Sequence, residues 1–164
     1  MTRYVHTAAI AAAAILLASP SHAIAGDTKG AISYKGTTVA LAHAYLVTGP
    51  DAVDPATKIR RVVLSASDIG AKLQACTTMS CADGLVTEGM TVELTGGRRL
   101  NYWVALKDGK QQYSGTAELD ALRARTDDAT KLAGKLTIDD TAAGGPKIDV
   151  DFDAAFVKEM TAAR

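Results

Sequence analysis

The chain has 164 residues, and its 18 basic and 18 acidic side chains are interspersed rather than blocked. Nucleic-acid binding needs a basic footprint, and pairs such as Arg60-Arg61 and Arg98-Arg99 are too short to make one. No phosphate loop, dinucleotide fingerprint, G-x-S-x-G elbow or S-x-x-K motif is present, so the commonest catalytic signatures are missing.

Residues 1–25 read as a cleaved signal peptide. Arg3 supplies a basic start, and Ala8–Ala18 is an apolar run of 11 residues, the length of a signal h-region and too short to span a bilayer as a helix. Pro20 then breaks the run, and Ala23-Ile24-Ala25 gives a small-residue cleavage pattern that would release Gly26. The expected product is one domain, residues 26–164, periplasmic or secreted and without a membrane span. Its length suffices to bury about two thirds of the unfolded surface. Losing Arg3 leaves 17 basic against 18 acidic residues, and losing His6 and His22 leaves His43 alone.

The remainder reads as short strands separated by glycine turns. Residues 31–35 and 38–47 flank a turn at Gly36-Thr37, and 49–58 form a polar loop with two prolines. Strand patterns follow at 59–66, 89–95 and 98–107, the last two separated by Gly96-Gly97. Asp108-Gly109 is the strongest hairpin signal and leads into 110–119. Residues 131–139 alternate Leu132, Gly134, Leu136 and Ile138, and 147–156 alternate Ile148, Val150 and Phe152 against three aspartates. The pattern predicts an all-β fold, an antiparallel β-sandwich or barrel of about eight strands. One short helix is expected at about residues 68–76, capped by Ser67, with Ile69, Leu73 and Cys76 on its buried face. A second helical turn is admitted at Leu119–Arg125.

The opening GAISYKGTTVALAHAYLVTG, the RRVVLSASDI strand and the closing KLAGKLTIDD and KIDVDFDAAF stretches resemble uncharacterised exported bacterial proteins with a single β domain. The resemblance implies that fold and no activity, ligand or catalytic residue.

Several chemistries compete for the remaining residues. In an oxidising compartment, Cys76 and Cys81 are expected to form a structural disulfide that pins the helix end. The alternative is a soft-metal site in which Cys76, Met79 and Cys81 hold copper(I). Asp149, Asp151 and Asp153 open like a calcium loop, but the sixth position is Ala154 and the twelfth Met160, so a solvated acidic strand face is expected. A lone His43 has no triad or zinc partners and is read as structural. A hydrolase using two carboxylates is the remaining enzymatic option, with no pair singled out. Finally, LNYWVAL places Leu100, Tyr102, Val104 and Leu106 on one face and Trp103 on the other with Asn101. Trp103, Arg99 and Tyr113 are therefore the candidate interaction surface. The function expected is non-catalytic binding of an envelope protein or small ligand, with no cofactor.

Overall fold

The computed structural model describes residues 26–107 and 109–164, so the leader and Asp108 lie outside the described residues. The expected all-β class is found. Ten strands form one mostly antiparallel sheet: β1 (Gly26–Tyr34), β2 (Thr37–Ala40), β3 (His43–Pro50), β4 (Lys58–Ser65), β5 (Gly89–Leu94), β6 (Arg99–Ala105), β7 (Gln111–Glu118), β8 (Leu122–Asp127), β9 (Lys131–Asp139) and β10 (Lys147–Glu159). Their order is β7-β6-β5-β4-β3-β1-β10-β9-β8, with β2 paired to β1 beside β3. The sheet rolls over on itself without closing. β7 and β8 are consecutive in the chain, joined by a 3₁₀ turn at Leu119–Ala121, yet they form the two ends of the sheet order.

The rolled inner face buries the apolar set that period-2 alternation singles out. Met90, Val92, Leu100, Tyr102, Val104, Leu106, Leu132, Leu136, Ile138, Ile148, Val150 and Phe152 all belong to this core. On the outward face of β10, the aspartates pair with neighbouring cations: Asp149 with Lys135 at 3.0 Å, Asp151 with Arg125 at 2.8 Å and Asp153 with Lys131 at 2.6 Å. The acidic strand face expected in place of a calcium loop is found, with the ion pairs as an addition that the sequence did not predict.

A second core lies on the outside of the roll. Two short helices, α1 (Gly70–Ala75) and α2 (Met79–Gly84), cover the outer faces of Tyr45, Val47, Ile59 and Val63. Ile69, Leu73 and Cys76 face this core as the helical spacing predicts. β3 and β4 are thus buried on both sides, and their burial is almost unbroken even though β4 carries Arg60 and Arg61.

Several expectations need correction. The turn between β1 and β2 centres on Lys35 (φ 47°) and Gly36 (φ 78°), one residue earlier than predicted, with the two positive φ values of a type I′ hairpin. Residues 38–47 are two strands, because at Leu41 and Ala42 the backbone turns to bond Gly30 and Ser65 instead of continuing one ladder. That break separates Leu41, in the inner core, from Tyr45, in the outer one. β8 replaces most of the second helical turn; as an edge strand it is mostly exposed and lacks alternation. Ser67 does not cap α1. The helix instead starts on Tyr45, whose hydroxyl accepts from Ile69 N at 3.0 Å and donates to Asp68 at 2.6 Å.

That hydroxyl gives a pH prediction. Burial, and then the bond to Asp68, push Tyr45 from 10.0 to about 12. The folded state therefore keeps a proton that the unfolded chain surrenders. The resulting stability is intact below pH 10 and falls as pH rises toward 12. Tyrosinate absorbance and circular dichroism recorded in parallel should show late ionisation accompanied by unfolding. In Tyr45→Phe this part of the alkaline loss should vanish.

The Cys76–Cys81 disulfide is present, with Cα atoms 5.7 Å apart. It joins the end of α1 to α2, whose N-cap Thr78 accepts from Cys81 N at 3.1 Å. Met79 between them is buried, and a Cβ added at Gly49 would lie 2.6 Å from its sulfur, so this methionine packs directly on the backbone of β3. Crosslinking removes both thiolates from the proposed copper set, and the third sulfur is committed to packing. Chain entropy for a loop this short is worth about 2 kcal/mol. Replacing both cysteines with serine should lower unfolding stability by about that amount in denaturant titrations, leaving the strand signal intact.

Candidate binding site

The outer face of β4, β5 and β6 carries the most unusual chemistry in the molecule. Antiparallel register sets Arg61 opposite Glu93, and Glu93 opposite Asn101, in one row across three strands. The next row is Val63, Thr91 and Trp103. Since Val62, Val92 and Tyr102 point into the roll, alternation forces Arg61, Glu93 and Trp103 outward. α2 lies over this face and contributes Asp83.

Arg61 is 6% exposed and Glu93 also 6%, so both charges are buried. Arg61 Nη2 donates to Glu93, and Nη1 donates to Asp83 at 2.6 Å. Asn101 Nδ2 donates to the other Glu93 oxygen at 3.2 Å. The guanidinium lies 5.3 Å from the centroid of the Trp103 ring, in cation–π range. One of its nitrogens is left over: Arg61 Nε is buried and has no hydrogen-bond partner among the described residues. A buried unsatisfied donor costs free energy unless something meets it. Desolvation raises the Asp83 carboxyl above its ordinary range, with Arg61 pulling the other way.

Open space surrounds this cluster. A hollow of about 490 Å³ is lined by Arg61, Glu93, Asn101, Trp103, Met79 and Val53, among others. A second, of about 260 Å³, runs along Asp83, Thr91, Trp103, Ala105 and Gln111. A third lies beside β7, between Trp103 and Ser114, Gly115 and Thr116. Trp103 borders all three. Beside the largest, Val53 stands 94% exposed on the loop between β3 and β4. The loop is held by its own aspartates: Asp51 accepts from the backbone of Val53 and Asp54, and Asp54 from Ala56 and Thr57.

The predicted surface residues separate. Trp103 is half-buried on the outer face, as alternation requires. Arg99 shares that face but is exposed and paired with Glu118 at 3.2 Å; the arginine at the indole is Arg61. Tyr113 lies on the other side of the sheet, stacked on Tyr102 at 5.9 Å and edge-on to Tyr34 at 5.5 Å, and so leaves the candidate surface. The register shift between Val104 and Ala105 separates Tyr113, opposite Val104, from the neighbouring pair Ala105–Gln111. His43 sits apart from the site, half-buried against Tyr45 with ring centroids 6.4 Å apart. Sequence reasoning missed Arg61, Glu93, Asp83 and Asn101 as a group. The usable signal was alternation within β4 and β5, where Arg61 and Glu93 fall opposite valines that must be core.

The single Trp gives a direct check. Half-burial predicts acrylamide quenching of Trp103 between that of free indole and that of a fully protected tryptophan. Complete protection in the native protein would remove Trp103 from any surface role. No protein-family model, curated protein or solved structure matches this chain.

Proposed function

We propose that this chain is an exported, non-catalytic binding protein of the cell envelope that recognises its ligand on the outer face around Trp103. The observation that carries the reading is the buried Arg61, fixed between Asp83 and Glu93 with one donor unspent, against a half-buried indole bordered by open hollows. Such a site is concave and largely preformed, with a few fixed polar groups around an aromatic plate, which is the usual anatomy of recognition. Hydrolysis by paired carboxylates is less well supported, because Asp83 and Glu93 are both held by Arg61. Export is supported by the leader-like residues 1–25 and by the disulfide; among the described residues no helix is long and apolar enough to cross a membrane. The partner is an envelope protein or a small ligand.

The test uses wild-type protein and Trp103→Ala as paired baits in native envelope extract, with circular dichroism confirming the fold of each. Material retained by the wild type should be lost by the variant. Equal retention by both would sink the assignment of the site.

A further inference from the structure

We infer that the groove around Trp103 takes a neutral, polyhydroxylated ligand, a saccharide laid against the indole; the inference rests on that groove being the recognition site.

Charge comes first. The largest of the three hollows at Trp103 is lined by Asp51, Asp83 and Glu93 and by Arg61 and Arg164, so both signs face any occupant. An anion entering it meets three carboxylates, and two of these are already shared with Arg61. A cation meets two guanidiniums. A neutral ligand escapes both penalties.

Hydrogen-bonding capacity narrows the class. Arg61 lines the hollow with an all-donor guanidinium, on a side chain more than nine-tenths buried. Glu93 and Asp83 are acceptors a few ångströms from it, and Asn101 offers both kinds of group. Donors and acceptors thus alternate within one small patch. A hydroxyl both donates and accepts, and vicinal hydroxyls present that alternation at neighbouring positions. An extended peptide repeats its N–H and C=O pair on one side only at every second residue, about 7 Å apart, a wider spacing than that of vicinal hydroxyls.

The lining agrees. Around the indole the hollows are walled by Thr91, Gln111, Ser114, Gly115 and Thr116, which are small or neutral polar residues suited to hydroxyl contacts. Trp103 is the aromatic plate on which the C–H face of a sugar ring can lie, an apolar surface with a polar rim. Because Trp103 borders successive hollows, a ligand of more than one ring could lie along β6 and β7.

The experiment titrates the full chain with a panel of neutral hexose and N-acetylhexosamine oligosaccharides, a sulfated oligosaccharide and a panel of extended neutral peptides. Emission from the single Trp and isothermal calorimetry are the readouts. At least one neutral saccharide should shift Trp103 emission and saturate. The sulfated analogue should bind at least about tenfold more weakly, and Trp103→Ala should lose at least about tenfold in affinity by calorimetry. If no neutral saccharide binds at about 10 mM, a concentration that detects even millimolar affinity, the ligand class is wrong. Should peptides bind and lose affinity in Trp103→Ala, the saccharide falls and the groove stands. Should a saccharide bind Trp103→Ala as well as wild type, it is the groove that falls.

Discussion

Arg61→Ala is expected to lower unfolding stability by about 3–5 kcal/mol, the cost of leaving a buried charge without its partner. Arg61 holds two carboxylates, and Glu93 is as buried as Arg61 itself. Removing the guanidinium strands Glu93 beside Asn101 and releases Asp83, while α2 stays docked through Met79 and Ala82. Equilibrium unfolding in denaturant near pH 7 measures the loss. Arg61→Met combined with Glu93→Leu removes both buried charges and should recover most of the deficit. A loss below about 1 kcal/mol in the single variant would mean that the cluster is solvated and contributes no more than a surface ion pair. That result would also withdraw the desolvated donor on which the binding reading rests.

Tyr102→Ala is the second large effect, about 3–5 kcal/mol as for deletion of other buried aromatics. The ring is fully buried, stacks on Tyr113 and donates its hydroxyl to Asp140 beyond the end of β9. It lies over Gly115, its cross-strand partner, where an added Cβ would come within 2.6 Å of the hydroxyl oxygen. The tyrosine thus covers a strand position that has no side chain of its own. Tyr102→Phe keeps the ring and loses one hydrogen bond, so its cost should be about 0.5–1.5 kcal/mol. Thermal unfolding of the two variants separates the packing contribution from the polar one. Because Tyr102 ties β6 to the β9–β10 turn, the Ala variant should also raise hydrogen exchange in β7, whose far edge has no strand partner among the described residues. If Tyr102→Ala and Tyr102→Phe cost the same, the ring is not what holds the two ends of the roll together.

These two residues also show what was legible in the sequence. The inner face was, because each strand that lines it repeats apolar residues at period two: Leu100, Tyr102 and Val104 in β6, with Leu106 just beyond it, and Ile148, Val150 and Phe152 in β10. The helical triad Ile69, Leu73 and Cys76 and the disulfide were legible from local spacing. The site was only half legible. Alternation puts Trp103 outside, but only cross-strand register reveals that Arg61, Glu93 and Asn101 stand side by side. Register depends on where turns begin and ladders break, and Lys35-Gly36 and Leu41-Ala42 each differ from the pattern by a residue or two. α2 went unseen because it buries only Met79 and Ala82, whereas α1 has a longer apolar stripe through the flanking Ile69 and Cys76.

The last strand has a consequence for how the molecule is made. β10 lies antiparallel to β1 through its first half and parallel to β3 through its second, while β9 runs along its other side. Until residues 147–159 have joined, three earlier strands lack a neighbour, and the β3 contact closes a loop of about a hundred residues. Nucleation cannot finish on the first half of the polypeptide. A chain exported as we propose would therefore cross the membrane still unfolded and knit together only afterwards, slowly for its size because its decisive pairings are so distant in sequence.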